Sequence, residues 1–448
     1  MTNHRPIWSA VFAALVLAAT AQAGPSVTLY THDLGFVRET RDVTLRAARD
    51  TVRLEDVSTR LDFTSVRLAL VNGRVMRLAY RWDTASGDAL IEHAVGQRVR
   101  VNSRDNHVDE GLLLAADGNW LVLRGDDGSV NTLSRAAVEQ VRLAKPASVL
   151  SLKPAIEAVV DGARGTTKAE LSYLTGGLSW SAEHTLVRTG ETTAIWSAAV
   201  QMANTTGRSF EDATVKLIAG EPSRTSESPE PRPMLMKAMA MSADGAGAPG
   251  AMSEQAFADY HLYTLDGPVT LRDRETQSIT MIRPRAITVK PRYFYRSGDS
   301  RGVLSQLEIV NSVKAGPGVP LPAGRVRTFT QDSDKDLQFI GESNITHTPV
   351  EEKCTVDLGY AFDLAAERRS VSEKRISDRE RQYAIEIVLR NRKNVAATIV
   401  VEEPLAGDSE IISSSLPSTR KDANTIQFIV DLPAGKTVTL TYSARQRW

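Results

Sequence analysis

Hydrophobic residues recur at alternate positions in short runs along most of this chain, the two-residue period of strands with one buried face. Val27-Thr28-Leu29-Tyr30 and Phe36-Val37-Arg38-Glu39 open the series, and Val43–Leu45 and Thr51–Leu54 follow. Polar turns separate these β-branched runs at the spacing of an all-β domain. From Gly96 the units shorten. Val99 and Val101 alternate, as do Leu112 and Leu114. Asp117-Gly118-Asn119 and Asp126-Asp127-Gly128 mark turns around Trp120–Leu123 and Val130, and Ala136–Val141 leads into a closing strand. This spacing predicts a small SH3-like or Sm-like barrel inserted near the N-terminus.

From Lys168 onward one pattern occurs three times: an alternating strand ends at an asparagine, a polar or Gly-containing turn follows, and a second strand begins. The instances are Ile195–Asn204 with Ala213–Ile218, Leu307–Asn311 with a Pro/Gly loop to Val326, and Tyr383–Asn391 with Ala397–Val401. Asparagine suits the place because its side chain closes a turn on its own backbone and tolerates left-handed φ. Such strand pairs build immunoglobulin-like sandwiches. Helical periodicity is weak, and the charge-rich Asp363–Asp378 reads as a connector. The fold class is mainly β: several β-sandwich (immunoglobulin-like) units with the small barrel inserted.

Residues 1–23 carry an address. Arg5 gives a positive n-region, Ser9–Thr20 a short apolar core, and Ala21-Gln22-Ala23 before Gly24 the small-x-small form that signal peptidase accepts. The apolar run is shorter than the roughly 20 residues a spanning helix needs. The expectation is a periplasmic or secreted protein, cleaved between Ala23 and Gly24, with no transmembrane segment afterwards. The remaining organisation reads as an N-terminal β domain (24–95), the small barrel (96–145), a β-sandwich domain (146–340) and a C-terminal immunoglobulin-like sandwich (341–448). Pro222–Ala256, rich in Ser, Pro, Gly and Ala, reads as a flexible loop of the 146–340 unit. The last strand alternates Val438, Leu440, Tyr442, Ala444, Gln446 and Trp448, which fits a strand packing one face on a core better than a membrane barrel. Aromatics at 6% are too few for that barrel's girdles.

Charge changes the picture by exclusion. The chain carries 54 basic and 54 acidic residues, and cleavage at Ala23 removes only Arg5, so no basic footprint for nucleic acid exists. A single cysteine, Cys354, excludes an internal disulfide. It shares a strand face with Val356 and Leu358 and reads as a buried, inert thiol.

Candidate chemistry is sparse. Met234, Met236, Met239 and Met241 form M-x-M-x-x-M-x-M in the predicted loop, and soft thioethers select Cu(I). Without His or Cys beside them, the plainer reading is a low-complexity contact element. Asp332-x-Asp334-x-Asp336 resembles the start of a calcium loop. Leu337 stands in place of its glycine and Ser343 in place of its glutamate, so a solvated turn is expected. The seven histidines show no ligand spacing, although Glu183-His184 and His347 with Glu351 could meet in space. Gly177-Leu178-Ser179-Trp180-Ser181 is not a nucleophile elbow, and no phosphate-binding loop is present. No catalytic, cofactor-binding or metal residues are assigned, and no cofactor is expected.

Several segments together carry a resemblance. Leu29-Tyr30 with Gly35–Arg41, Trp82-Asp83 leading to Gly96, and Leu171-Ser172-Tyr173 followed by Gly177–Ala182 form its first half. Asn311 with Pro320–Val326, Gly341-Glu342 with His347-Thr348-Pro349, and Gly359–Asp363 complete it. The chain resembles exported bacterial proteins that share an uncharacterised β-rich C-terminal domain with the mucoidy inhibitor A-like proteins. Classical members carry an N-terminal coiled coil, which the small barrel replaces here. The resemblance implies a β-sandwich core and an envelope location, and it brings no catalytic residues. The function expected is non-enzymatic binding of another envelope protein or a glycan. The alternatives are an envelope hydrolase with an unrecognised Asp/Glu/His site, or weak Cu(I) binding at Met234, Met236, Met239 and Met241.

Overall fold

In the computed structural model, the described residues are 24–82, 86–143, 153–220, 222, 252–257, 260–405 and 408–447. Strands make up 67% of the chain and helix 3%, the mainly β class read from the sequence. The predicted signal peptide 1–23, Met234, Met236, Met239, Met241 and Trp448 lie outside the described residues.

Two pairs of sheets account for most of the chain. A large sheet runs from Met252–Phe257 at one edge, through Phe210–Ala219, Ser26–Tyr30, Gly35–Leu45 and Gly165–Thr175, to Arg49–Glu55 at the other. A five-stranded sheet, ordered Glu275–Thr288, Thr193–Asn204, Leu178–Arg188, Gly324–Gln331 and Leu337–Ile345, shares its hydrophobic cluster. Trp180 links the two, its indole N–H donating across the core to the Ile218 carbonyl at 3.0 Å. The second pair is a six-stranded sheet, Lys353–Tyr360 to Ser418–Asp422, and a four-stranded sheet, Leu364–Ser377, Glu380–Asn391, Thr437–Arg447 and Asp408–Ser414. Ile399, Val401, Phe428 and Val430 of the former meet Ile385, Ile387, Leu389 and Leu440 of the latter in a separate core.

Sheet membership crosses the boundaries expected from the sequence. The six-stranded sheet takes Lys290–Arg296 and Leu304–Val310 from before residue 341 and the remainder from after it. The five predicted strands near the N-terminus form an antiparallel sheet ordered Val138–Leu143, Arg98–Ser103, Val108–Ala116, Trp120–Arg124 and Val130–Ser134. This unit interrupts two strands that pair with each other, Gly73–Arg81 and Ala155–Gly162, and so forms an insertion within one sheet. It has its own core of Val99, Val101, Leu113, Leu121 and Leu123.

Two local expectations are corrected. The predicted connector Asp363–Asp378 is largely a strand, Leu364–Ser377, paired with Glu380–Asn391. It lies at a sheet edge and is exposed over its second half, so neither face there demands apolar alternation. A short helix, Gly87–His93, was absent from the pattern; the Ser86 hydroxyl caps it by accepting from Ala89 N at 3.0 Å.

The three asparagines define how the sheets connect. The strands on either side of each do not pair as hairpins. Thr193–Asn204 belongs to the five-stranded sheet and Phe210–Ala219 to the large one; Leu304–Val310 and Gly324–Gln331 lie in different sheets, as do Glu380–Asn391 and Ala397–Pro404. Each asparagine stands where the chain crosses from sheet to sheet, with Asn204 2% exposed and Asn311 and Asn391 fully buried. Asn204 Nδ2 donates to the carbonyls of Arg208 and Leu271, Asn311 Nδ2 to Val319, Thr348 and Pro349, and Asn391 Nδ2 to Val395, Leu432 and Pro433. Their oxygens accept from the backbone N–H of Thr206, Gly318 and Lys393. The expected turn closure is therefore present at each. The left-handed φ is not, because none of the three has a positive φ. Gly318 supplies that geometry at the second crossing, with φ +69° and its N–H on Asn311.

Asn391→Ala leaves three carbonyls, that of Leu432 buried, and one N–H without that partner, and a loss of about 2–4 kcal/mol is expected from urea unfolding midpoints. Asn391→Asp should destabilise at least as much, because it sets an acceptor against acceptors; a neutral result for either variant would remove the crossing role.

His184 gives the first core a pH dependence. It is 1% exposed, its Nε2 contacts the Pro322 carbonyl at 3.1 Å and its ring lies 5.2 Å from that of Trp196. Burial holds its pKa down at about 4, so the ring is neutral in the fold. The stability this gives is fully present above the unfolded value near 6.5 and is lost as pH falls through 4, amounting to roughly 3 kcal/mol. Unfolding midpoints followed from pH 7 to pH 4 should show that component in the wild type and lack it in His184→Gln. An NMR titration of His184 near pH 6.5 would contradict it.

Candidate functional site

The four-stranded sheet is longer than the sheet that covers it. Its inward positions are apolar where Ala397–Pro404 lies against them: Ile385, Ile387 and Leu389 on one strand, Leu440, Tyr442 and Ala444 on the next. The alternation continues beyond Pro404, but the residue types change to Tyr383, Arg381 and Gln446, with Arg381 opposite Gln446 across the ladder. A cleft of about 310 Å³ opens there. Tyr383 and Ile385 are in its lining, with Pro404, and Arg368, Ser370, Glu373, Arg381 and Gln446 supply the polar groups.

These groups hold one another. Arg381 lies over the Tyr383 ring at 6.0 Å, donates through Nε and Nη2 to the Gln446 oxygen at 2.9 and 2.7 Å, and through Nη1 to Glu373 at 3.0 Å. Behind Arg368, at the boundary of cleft and core, stands Glu403, which is fully buried. Arg368 Nε donates to both of its oxygens, at 3.3 and 3.0 Å, and the Tyr442 hydroxyl donates to Oε2 at 2.6 Å. Burial, followed by the Glu403 charge, pushes the Tyr442 phenol well above its ordinary value, so it stays protonated and remains the donor. Glu402, the preceding residue, pairs instead with Arg296 and Lys421. Strand alternation thus sends two adjacent carboxylates to separate partners.

A second Glu–Arg–Tyr group stabilises the first core. Glu39 takes both prongs of Arg208 at 2.9 and 2.8 Å and Arg41 Nη2 at 2.7 Å, while Arg208 also donates to the Tyr173 hydroxyl at 3.2 Å. Arg41 further donates to the carbonyls of Glu55 and Asp56, tying the edge strand Arg49–Glu55 to Gly35–Leu45. Arg208 stands in the crossing loop that Asn204 closes, so this group is part of the scaffold.

The residues singled out in the sequence lie elsewhere. Glu183 and His184 do not meet: Glu183 faces Arg325 and Arg327, and His184 faces the core. The Nδ1 of His347 accepts from Ala323 N at 3.0 Å, while the backbone N–H of Glu351 is spent on the Asn311 carbonyl. Asp332 forms the expected turn, its Oδ1 accepting from Asp334 N and Asp336 N. Cys354 is buried, and that burial pushes its thiol up to about 11. Among the described residues, no three His, Cys, Asp or Glu side chains are grouped to hold a metal ion. Nor is any described helix long and apolar enough to cross a membrane. The sequence signal for the cleft was the change from Ile and Leu to Tyr, Arg and Gln within an unbroken alternation.

Sandwiches joined by asparagine crossings, with a polar cleft at a sheet overhang, define a mainly β protein. Residues 169–448 match the model of a domain of unknown function, DUF4139, and the chain belongs to that family. No curated protein matches it. The cleft and all three asparagines lie within the matched region; the small inserted sheet lies outside it.

Tyr442→Phe removes one donor from the buried Glu403 carboxylate, and a loss of roughly 2 kcal/mol is expected by urea unfolding. Arg368→Met leaves that charge unpaired and should cost more, about 3–5 kcal/mol, most of it recovered in Arg368→Met/Glu403→Gln. An unrecovered double variant would show that Glu403 is not the group Arg368 serves.

Proposed function

We propose that this protein is exported to the periplasm and acts there without catalysis, holding a segment of another envelope protein or a glycan in the cleft at Tyr383. The observation that carries this reading is that the cleft's charged groups already have partners: Arg368 with Glu403, and Arg381 with Glu373 and Gln446. Proton transfer or nucleophilic attack needs an uncommitted group with a tuned pKa. Side chains fixed by one another suit recognition, because little conformational entropy is lost when a ligand docks. Export is supported by the Arg5, Ser9–Thr20 and Ala21-Gln22-Ala23 features of residues 1–23. The resemblance to the mucoidy inhibitor A-like proteins, on segments such as Gly177–Ala182 and Pro320–Val326, supports the envelope location. The stretch 222–256 serves in this reading as a second contact element.

Two measurements test it. Expressed with residues 1–23 in a bacterial host, the protein should appear in the periplasm with an intact mass that begins at Gly24; a product retaining residues 1–23 removes export from the reading. The mature protein should be retained on an envelope extract. Tyr383→Ala should weaken that retention about tenfold, and Trp120→Ala, on the exposed face of the inserted sheet, should leave it unchanged. Equal retention of both variants excludes the cleft as the contact.

A further inference from the structure

Arg368 is held from behind, by the Glu403 carboxylate and the Tyr442 hydroxyl bound to it. Its Nε makes the bonds to Glu403, while Nη1 and Nη2 donate to no carboxylate or carbonyl among the described residues. The side chain is 29% exposed, whereas the carboxylate behind it is fully buried. The guanidinium is therefore anchored by a group no ligand can reach, while Arg368 itself lines the cleft together with Ser370. A two-pronged donor in fixed orientation matches the two oxygens of a carboxylate, which a point charge on a flexible stem does not. The accessible walls also favour an anion: they present Arg368 and Arg381 against Glu373 alone, and Arg381 Nη1 already engages Glu373.

We propose that the cleft binds its ligand through a carboxylate, anchored on Nη1 and Nη2 of Arg368, with the Tyr383 ring packing against the adjoining part of the ligand. This rests on the binding reading of the cleft given above. The carboxylate can belong to an acidic sugar or to a peptide C-terminus, and the chemistry at Arg368 is the same for both.

Calorimetric titration of the mature protein with two matched pairs of probes tests it: galacturonate against galactose, and N-acetyl-dialanine against its C-terminal amide. In at least one pair the carboxylate should bind about tenfold more tightly than its neutral partner, and the pair that does so identifies the source. Arg368→Lys keeps a cation for Glu403 but loses the fork, and should abolish the preference. Should that variant fold poorly, Arg368→Met/Glu403→Gln removes both charges together and should lose the preference with its core intact. Equal binding of charged and neutral partners overturns the carboxylate anchor and leaves the cleft as a binding site. A preference that survives both variants overturns the assignment to Arg368. Failure of all four probes also overturns the anchor, and retention of the Tyr383→Ala variant on envelope extract then decides separately whether the cleft binds at all.

Discussion

Wherever a chain leaves one layer of a sandwich for the other, its backbone gives up ladder partners while still shielded from water. Those buried carbonyls and amides must be satisfied, and this constraint organises the whole molecule. At three crossings it is met in the same way, by an asparagine carboxamide donating to two or three carbonyls and accepting from one N–H. A carboxamide is suited to this because it carries donors and an acceptor on one short, uncharged group. Each asparagine binds carbonyls from segments distant in sequence, such as Leu271 for Asn204 and Leu432 for Asn391, so each crossing also fixes the position of a neighbouring turn.

The cleft depends on the last of these crossings. Asn391 sets the path from Glu380–Asn391 to Ala397–Pro404, and at the far end of that strand stand Glu402 and Glu403. A one-residue slip in register would turn Glu403 to the outer face and aim Glu402 into the core in its place, exchanging the partners of both. Because Ala397–Pro404 stops at Pro404 while its facing strands continue, the inward alternation of the four-stranded sheet emerges from under its cover. The cleft is thus the uncovered end of a hydrophobic core, lined by the polar residues that uncovering requires.

Much of this was legible in the chain itself. Alternation located the strands, and the recurrence of asparagine at strand ends marked the positions that matter. Its meaning is only half encoded, since a strand–turn–strand pattern does not reveal whether the two strands pair or part to different sheets. Phe36–Glu39 and Val43–Leu45, read as separate runs, form one strand, Gly35–Leu45, because Arg41 is engaged by Glu39 and the Glu55 carbonyl rather than marking a turn. Leu364–Ser377 was hidden by its charge, and an exposed edge strand leaves no apolar signature. The change to Tyr383, Arg381 and Gln446 is visible in the alternation, but the assembled cleft is not, because Arg368, Arg381, Pro404 and Gln446 come from four strands whose order in space no local pattern encodes. Cys354 and Asp332, whose roles depend on immediate neighbours, were read correctly for that reason.

The first strand has a consequence for how the molecule comes to be folded. Ser26–Tyr30 lies parallel to Phe210–Ala219, nearly two hundred residues away, with Val27 opposite Val215 and Leu29 opposite Leu217. A chain emerging N-terminus first therefore presents an apolar segment whose partner on that side arrives only after the inserted sheet has passed. That sheet is built from neighbouring hairpins and can close early, whereas the large sheet must await its most distant contact. Completion of the first sandwich is in this sense a late event. Until it occurs, Val27 and Leu29 form an uncovered edge, the kind of surface on which a folding chain is open to capture by a chaperone or to aggregation.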